Sequence, residues 1–302
     1  MGTSNANGGQ GDDTPLVPSW LPSDGPPAPA PPPPPLPAPN PTPPLPPLPD
    51  GPGNPPGMPV PPALPPIPAP GPADRFRMPR RNFTRFAKSG GTDRASLGRA
   101  LSGYVSTSSG GRRAAAQRMG SARAAGAQLL GVLSSAVANG ARQTLRTLNL
   151  ERLAGRPIEE IFLGLIDYVC PFDGGTVDEG IARDAFVETI ADLAENGIVD
   201  FDALTFDQMQ IVFELYATHA IETRICNDIG MKAVTVPSDA AAAASLQEQL
   251  FDFIRRSVSD SLTQARDALQ ALTPENIGAI VTGIYEQAFG ILQTLAEAEA
   301  EQ

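Results

Sequence analysis

The chain has 302 residues, 41% of them hydrophobic, and a net charge of −11 with a pI near 4.6, yet no part of it matches that average. Residues 1–73 hold 30 of the 35 prolines and four acids with no Lys or Arg, residues 74–156 hold 16 Lys or Arg against three acids, and residues 157–302 hold 6 against 26. The two cysteines lack CxxC or Cys/His spacing and leave no disulfide or zinc framework, and no apolar run is long and unbroken enough to span a bilayer, so a reducing cytoplasm is the expected setting.

In chain order, the first segment reads MGTSNANGGQ, without a basic start or apolar core of the secretory kind. Removal of Met1 leaves Gly2 with a free α-amine. Such an amine has a pKa of about 7.7–8.0, so a sizeable fraction is unprotonated and nucleophilic at neutral pH. Ala6 stands where myristoylation requires Ser or Thr. The stretch TPLVPSWLPS follows, with the only tryptophan, Trp20, beside Leu16, Val17 and Leu21. This group either docks back on the folded part or anchors a partner as a short linear motif. Pro26 to Pro72 is low-complexity Pro, Ala, Gly and Leu, expected as polyproline II: a semi-rigid spacer or a ligand for an SH3-like groove. Residues 1–73 contain too little branched aliphatic and aromatic surface to offset chain entropy and are expected to be disordered.

The next stretch, RFRMPRRNFTRFAKSGG, interleaves Phe76, Phe83 and Phe86 with Arg75, Arg77, Arg80, Arg81, Arg85 and Lys88. Aromatics among guanidinium groups suit single-stranded nucleic acid, where rings stack on bases and arginines meet phosphates. The same spacing also lets the phenylalanines enter a core while the cations face acids of this chain or of a partner. Gly90-Gly91 and Gly110-Gly111 flank a short helix that Thr92 or Asp93 can cap, and neither pair has the lysine of a phosphate loop. Residues 112–148 are rich in Ala and Arg, with Gly120, Gly126, Gly131 and Gly140 weakening a helix or allowing close helix–helix approach.

Beyond Pro157 the helical signals are strong. Pro157 precedes Ile158, Ile161, Phe162, Leu165 and Val169 at helical spacing. Thr176-Val-Asp-Glu179 is a capping box opening a helix that ends at Asn196-Gly197, and Thr205-Phe-Asp-Gln208 opens another. A fourth starts at Ser238 after a short linker at 233–236, and a fifth at Thr273-Pro274-Glu275. The fold predicted is all-α: a helical bundle or array preceded by a long Pro-rich arm, in three parts, 1–73, 74–156 and 157–302.

No catalytic constellation, cofactor motif or metal motif is evident. The single histidine, His219, lies one helical turn from Glu222 and Thr223 and two from Cys226, but HExxH is absent, so a structural or capping role is favoured over a metal site. Asp167, Asp173, Asp178, Asp184 and Glu188 fall where first-turn electrostatics and solvated helix faces place acids.

The strings MGTSNANGG, TPLVPSWL, RRNFTRFAKSGG, LGRALSGYVSTSSGG, RPIEEIFLGLIDYVCP, DEGIARDAFVETIADL and FELYATHAIETRICNDIG resemble the QatB family, the accessory component of the bacterial four-gene Qat anti-phage defence system. The resemblance covers the ends of the arm and most of residues 75–230. It transfers no catalytic residue. It implies partners encoded beside the chain: the ATPase QatA, the QueC-like enzyme QatC and the TatD-like nuclease QatD. In that setting a QueC-like enzyme, which amidates a deazapurine carboxylate, would use the Gly2 amine in place of ammonia. Three functional readings follow. The first is a non-catalytic adaptor, the second a nucleic-acid-binding module using residues 75–123, and the third an enzyme with a deep polar pocket around His219.

Overall fold

A computed structural model describes residues 74–172, 174–229 and 240–301. The arm, with Gly2, Leu16, Val17, Trp20 and Leu21, and the expected linker and helix start at 233–238, lie outside the described residues. Within them every regular element is helical, as the periodicity predicts.

Helix α1 (Arg77–Lys88) turns Phe83, Phe86 and Ala87 inward, with Phe76 just before it and Pro79 in its first turn, where a missing amide costs nothing. The turn at Gly90-Gly91, both at positive φ, leads to α2 (Arg94–Gly103), whose N-cap is Asp93: its carboxylate accepts the Ser96 amide at 2.9 Å. A π-helical turn over Tyr104–Ser108 ends the pair. Residues 112–148 are not one helix but three, α3 (Arg112–Gln117), α4 (Gly120–Asn139) and α5 (Ala141–Thr147), broken where Gly120 and Gly140 take positive φ.

Helix α6 (Ile158–Val169) buries the apolar stripe predicted for it. Helix α7 (Val177–Asp192) opens on the expected reciprocal capping box, and the chain leaves it through Gly197 at φ +71°. Thr205 and Gln208 exchange hydrogen bonds at 3.0 and 3.2 Å before α8 (Phe206–Ile229). Helix α9 (Ala240–Gln264) breaks at Ala265 into the five-residue α10 (Arg266–Gln270), a division the sequence reading did not separate. Helix α11 (Ile277–Ala300) closes the array.

The described residues share a single core, so the step in composition near residue 156 is not a packing boundary. Two kinds of contact hold the cationic part onto the acidic part. Steric closeness is the first. A Cβ on Gly98 would lie 2.7 Å from the Ala300 amide nitrogen, and one on Gly126 would lie 3.2 Å from the Tyr216 ring, so α2 against α11 and α4 against α8 cross at small-residue contacts. A half-buried polar chain is the second. Asp228 on α8 accepts from Tyr104 Oη at 2.8 Å and from Arg118 Nη2 at 2.7 Å, and Arg224 binds Asp178 Oδ1 at 2.7 Å while also donating to the Arg118 carbonyl. Burial beside Asp228 pushes the Tyr104 phenol far up, so it stays a donor.

Candidate functional site

The cationic stretch has two sides. Phe83 and Phe86 are buried, 5.7 Å apart edge to face, and Phe76 stacks on Tyr104 at 5.4 Å. Their rings belong to the core, the second of the two readings of this spacing, and are not free to stack on bases: burying three phenyl rings gains more than leaving them in water for a ligand. Arg80 is likewise committed, its Nε donating at 2.5 Å to the Ile229 carbonyl at the C-terminal end of α8, where a cation also meets the helix dipole. Arg75 lies over the Phe76 ring at 4.8 Å.

What remains is Arg77, Arg81, Arg85 and Lys88, all exposed. Their spacing of four, four and three places them on one face of α1, and none has an ion-pair partner among the described residues. Some cations elsewhere in the same segment are partnered within the molecule, Arg94 with Glu299, Arg113 with Glu286 and Arg118 with Asp228, whereas Arg112, Arg123, Arg142 and Arg152 form no ion pair among the described residues. The neutralisation expected from composition is therefore partial, and the outer row of α1 forms no ion pair among the described residues.

The second feature is a cleft of about 690 Å³ between α7, α8 and α9, with His219 in its wall. Asp184, Glu188, Asp192 and Glu195 line one side, Glu222, Thr223 and Cys226 the floor, and Gln247, Glu248, Phe251 and Arg255 the other side. The capping box at Thr176 fixes the start of α7, and the acids recur along its outer face at 184, 188 and 192 and in the turn after it at 195.

His219 is buried, shares a 2.8 Å hydrogen bond with Asp192 Oδ2 through Nε2, and lies against the Phe251 ring at 4.9 Å. Its Nδ1 is 3.9 Å from Glu222 Oε2, too far for a hydrogen bond. Glu222, 6% exposed, is hydrogen-bonded by Gln247 but keeps Oε1 buried with no partner. Burial, reinforced by Glu188 and Asp192, pushes its carboxyl up to about 7. Burial likewise pushes the Cys226 thiol up to about 12, which keeps it a thiol rather than a nucleophilic thiolate. Among the described residues no group of three or more His, Cys, Asp or Glu is arranged to hold a metal ion.

The favoured reading of His219 as a structural histidine thus meets a buried, hydrogen-bonded side chain. The polar pocket expected of the enzyme reading is also present, as an acid-lined cleft. Its chemistry suits a cation: five carboxylates around its rim face one guanidinium, Arg255, which Glu214 already holds at 2.8 Å. The 4-4-3 run from Asp184 to Glu195 is legible in the sequence and went unread there. The contribution of α9 has no local signal, since it depends on which helix packs beside α8.

No described helix is long and apolar enough to cross a membrane. No curated protein and no solved structure matches the chain. A family model does: that of the Qat anti-phage system associated protein QatB, over residues 110–292, which take in α3 to α10, the whole cleft and most of α11. With the larger part of its length covered by that model, the chain belongs to the QatB family of the Qat anti-phage system.

Proposed function

We propose that the chain is a non-catalytic adaptor of the Qat anti-phage complex, which docks on other Qat components through the cationic face of α1. One observation carries this reading. Four cations stand in a row without partners on a helix whose opposite face is anchored in the core by phenylalanines. Solvated charges left unpaired beside a molecule of net charge −11 are a standing invitation to an anionic surface, steering encounter and fixing orientation. The partners are those the family context implies: the ATPase QatA, the QueC-like QatC and the TatD-like nuclease QatD.

The test is co-purification from cells expressing the full set of components. The quadruple charge reversal R77E/R81E/R85E/K88E should abolish capture of at least one component while the circular dichroism spectrum and Tm stay near wild type. Capture at wild-type level rejects the docking role of α1.

The finer part of the reading concerns Gly2. Its α-amine would attack a deazapurine carboxylate that the QueC-like partner has activated with ATP, forming an amide and releasing the nucleotide with one proton. Support comes from the Gly-Thr-Ser sequence and the family context. Intact-mass measurement after co-expression with QatC tests it: an unmodified chain, or full defence with Gly2 blocked, rejects it.

A second reading, nucleic-acid binding, is favoured by the same four cations. With the phenyl rings buried it reduces to phosphate contacts. Binding to a single-stranded oligonucleotide should then fall with salt at a log–log slope of no more than about −3, given about −0.7 per phosphate. No shift at 50 mM salt removes this reading.

A further inference from the structure

The two charged features share a register. On α1 the cations stand at 77, 81, 85 and 88; on α7 and the turn after it the acids stand at 184, 188, 192 and 195. At 1.5 Å per residue the row on α1 runs about 16 Å and the part of the acidic row that lies on α7 about 12 Å, with Glu195 following in the turn. Asp184, Glu188 and Glu195 have no ion-pair partner among the described residues, as is true of the four cations opposite them in sign.

The acidic row also has a floor. Glu222 is more than nine-tenths buried, lines the same cleft, and holds one carboxylate oxygen without a hydrogen-bond donor. A buried acceptor left unmet is costly, and a guanidinium reaching in from outside supplies the missing donor with a charge of the right sign. The Phe251 ring beside His219 offers such a cation a face. A row of donors on long side chains, spaced to match and rigidly presented by a helix, exists on this chain itself.

We infer that the α7–α8–α9 cleft receives helix α1 of a second copy of this chain, with Arg77, Arg81, Arg85 and Lys88 laid along Asp184, Glu188, Asp192 and Glu195. Within one copy these rows do not pair, so the complementarity is available only between copies. A reciprocal arrangement gives a closed two-fold pair; a one-way arrangement gives a ring or an open chain. The inference goes beyond the docking reading of α1, since it gives the same face a second copy of this chain in place of another Qat component. Arginine is the better residue for the work, because its planar fork meets a carboxylate with two hydrogen bonds.

Light scattering coupled to size exclusion, on the full chain between about 5 and 200 μM, reads the outcome. The mass should be at least twice that of one chain in 50 mM salt and fall to one chain in 1 M salt, where screening acts within about 3 Å. Two variants with folded spectra, R81E/R85E and D184K/E188K, should each remain single chains. Mixed one to one they should assemble again, since the native cationic row of D184K/E188K then meets the native acidic row of R81E/R85E. A wild-type mass of one chain at every concentration in 50 mM salt overturns the inference, as do variants that assemble like wild type and a mixture that stays apart. Should R81E/R85E lose Qat components while the wild type is a single chain, this inference falls and the adaptor reading stands. Should the wild type assemble as expected while R81E/R85E captures components normally, the adaptor reading of α1 falls alone.

Discussion

Helices α1 and α7 are built on one plan, a buried apolar stripe under a row of like charges, and they end in different chemistry. On α1 the outer row of charged groups points away from a dry interior of Phe83 and Phe86 and into water. On α7 the row borders a cleft with buried polar groups, so that Asp192 is tied to His219 and, with Glu188, acts on Glu222. The same surface pattern is therefore a set of independent charges in one place and a coupled network in the other. What separates them is the neighbour behind the helix, not the helix.

Four substitutions sharpen that contrast. The largest effect is expected on the apolar side of α1: Phe86→Ala removes a fully buried ring and should cost about 3–5 kcal/mol in chemical denaturation. A loss below about 1 kcal/mol would mean that α1 is not part of the core. Next comes Asp228→Ala, which strands the buried Tyr104 hydroxyl and the Arg118 guanidinium; a loss of about 3 kcal/mol is expected, and an unchanged midpoint would deny the polar chain its role in joining the two halves.

Glu222 should act with the opposite sign and with pH. Its carboxyl titrates near 7 in the folded protein, above its ordinary 4.5. Below pH 4.5 both folded and unfolded chains are protonated there and the group costs nothing. Between 4.5 and 7 the unfolded chain gives up its proton first, so stability falls as pH rises, and above 7 the full cost of about 3 kcal/mol is present. Glu222→Gln should therefore raise Tm at pH 8 and leave it unchanged at pH 4; equal shifts at both values would refute the buried carboxylate. The smallest effect belongs to the outer face of α1, where Arg81→Gln should move stability by less than about 0.5 kcal/mol. A larger loss would show that Arg81 has a partner within the molecule.

Much of the fold was legible beforehand because it was written in local chemistry. The capping boxes at Thr176 and Thr205, the apolar stripe of Ile158 to Val169 and the glycine stop at 197 each act within a turn or two of chain. The division of residues 112–148 into three helices, and of α9 from α10, was less legible. Alanine propensity favours continuity, and only the crossings of other helices decide where the chain bends.

The candidate site was half legible. The row on α1 and the group His219, Glu222 and Cys226 stand in the sequence as helical spacings. That Phe83 and Phe86 enter the core rather than meet a ligand, that Arg80 is spent on the end of α8, and that α9 brings Gln247, Glu248 and Phe251 to face Asp192 were settled by packing. Sequence alone determined the helical class, the caps and the segregation of charge, because these follow from neighbours along the chain. Which charges remain unpaired, and which carboxylate is buried without a donor, only the tertiary structure decided, because burial and pairing depend on residues more than a hundred positions apart, as Tyr104 and Asp228 are.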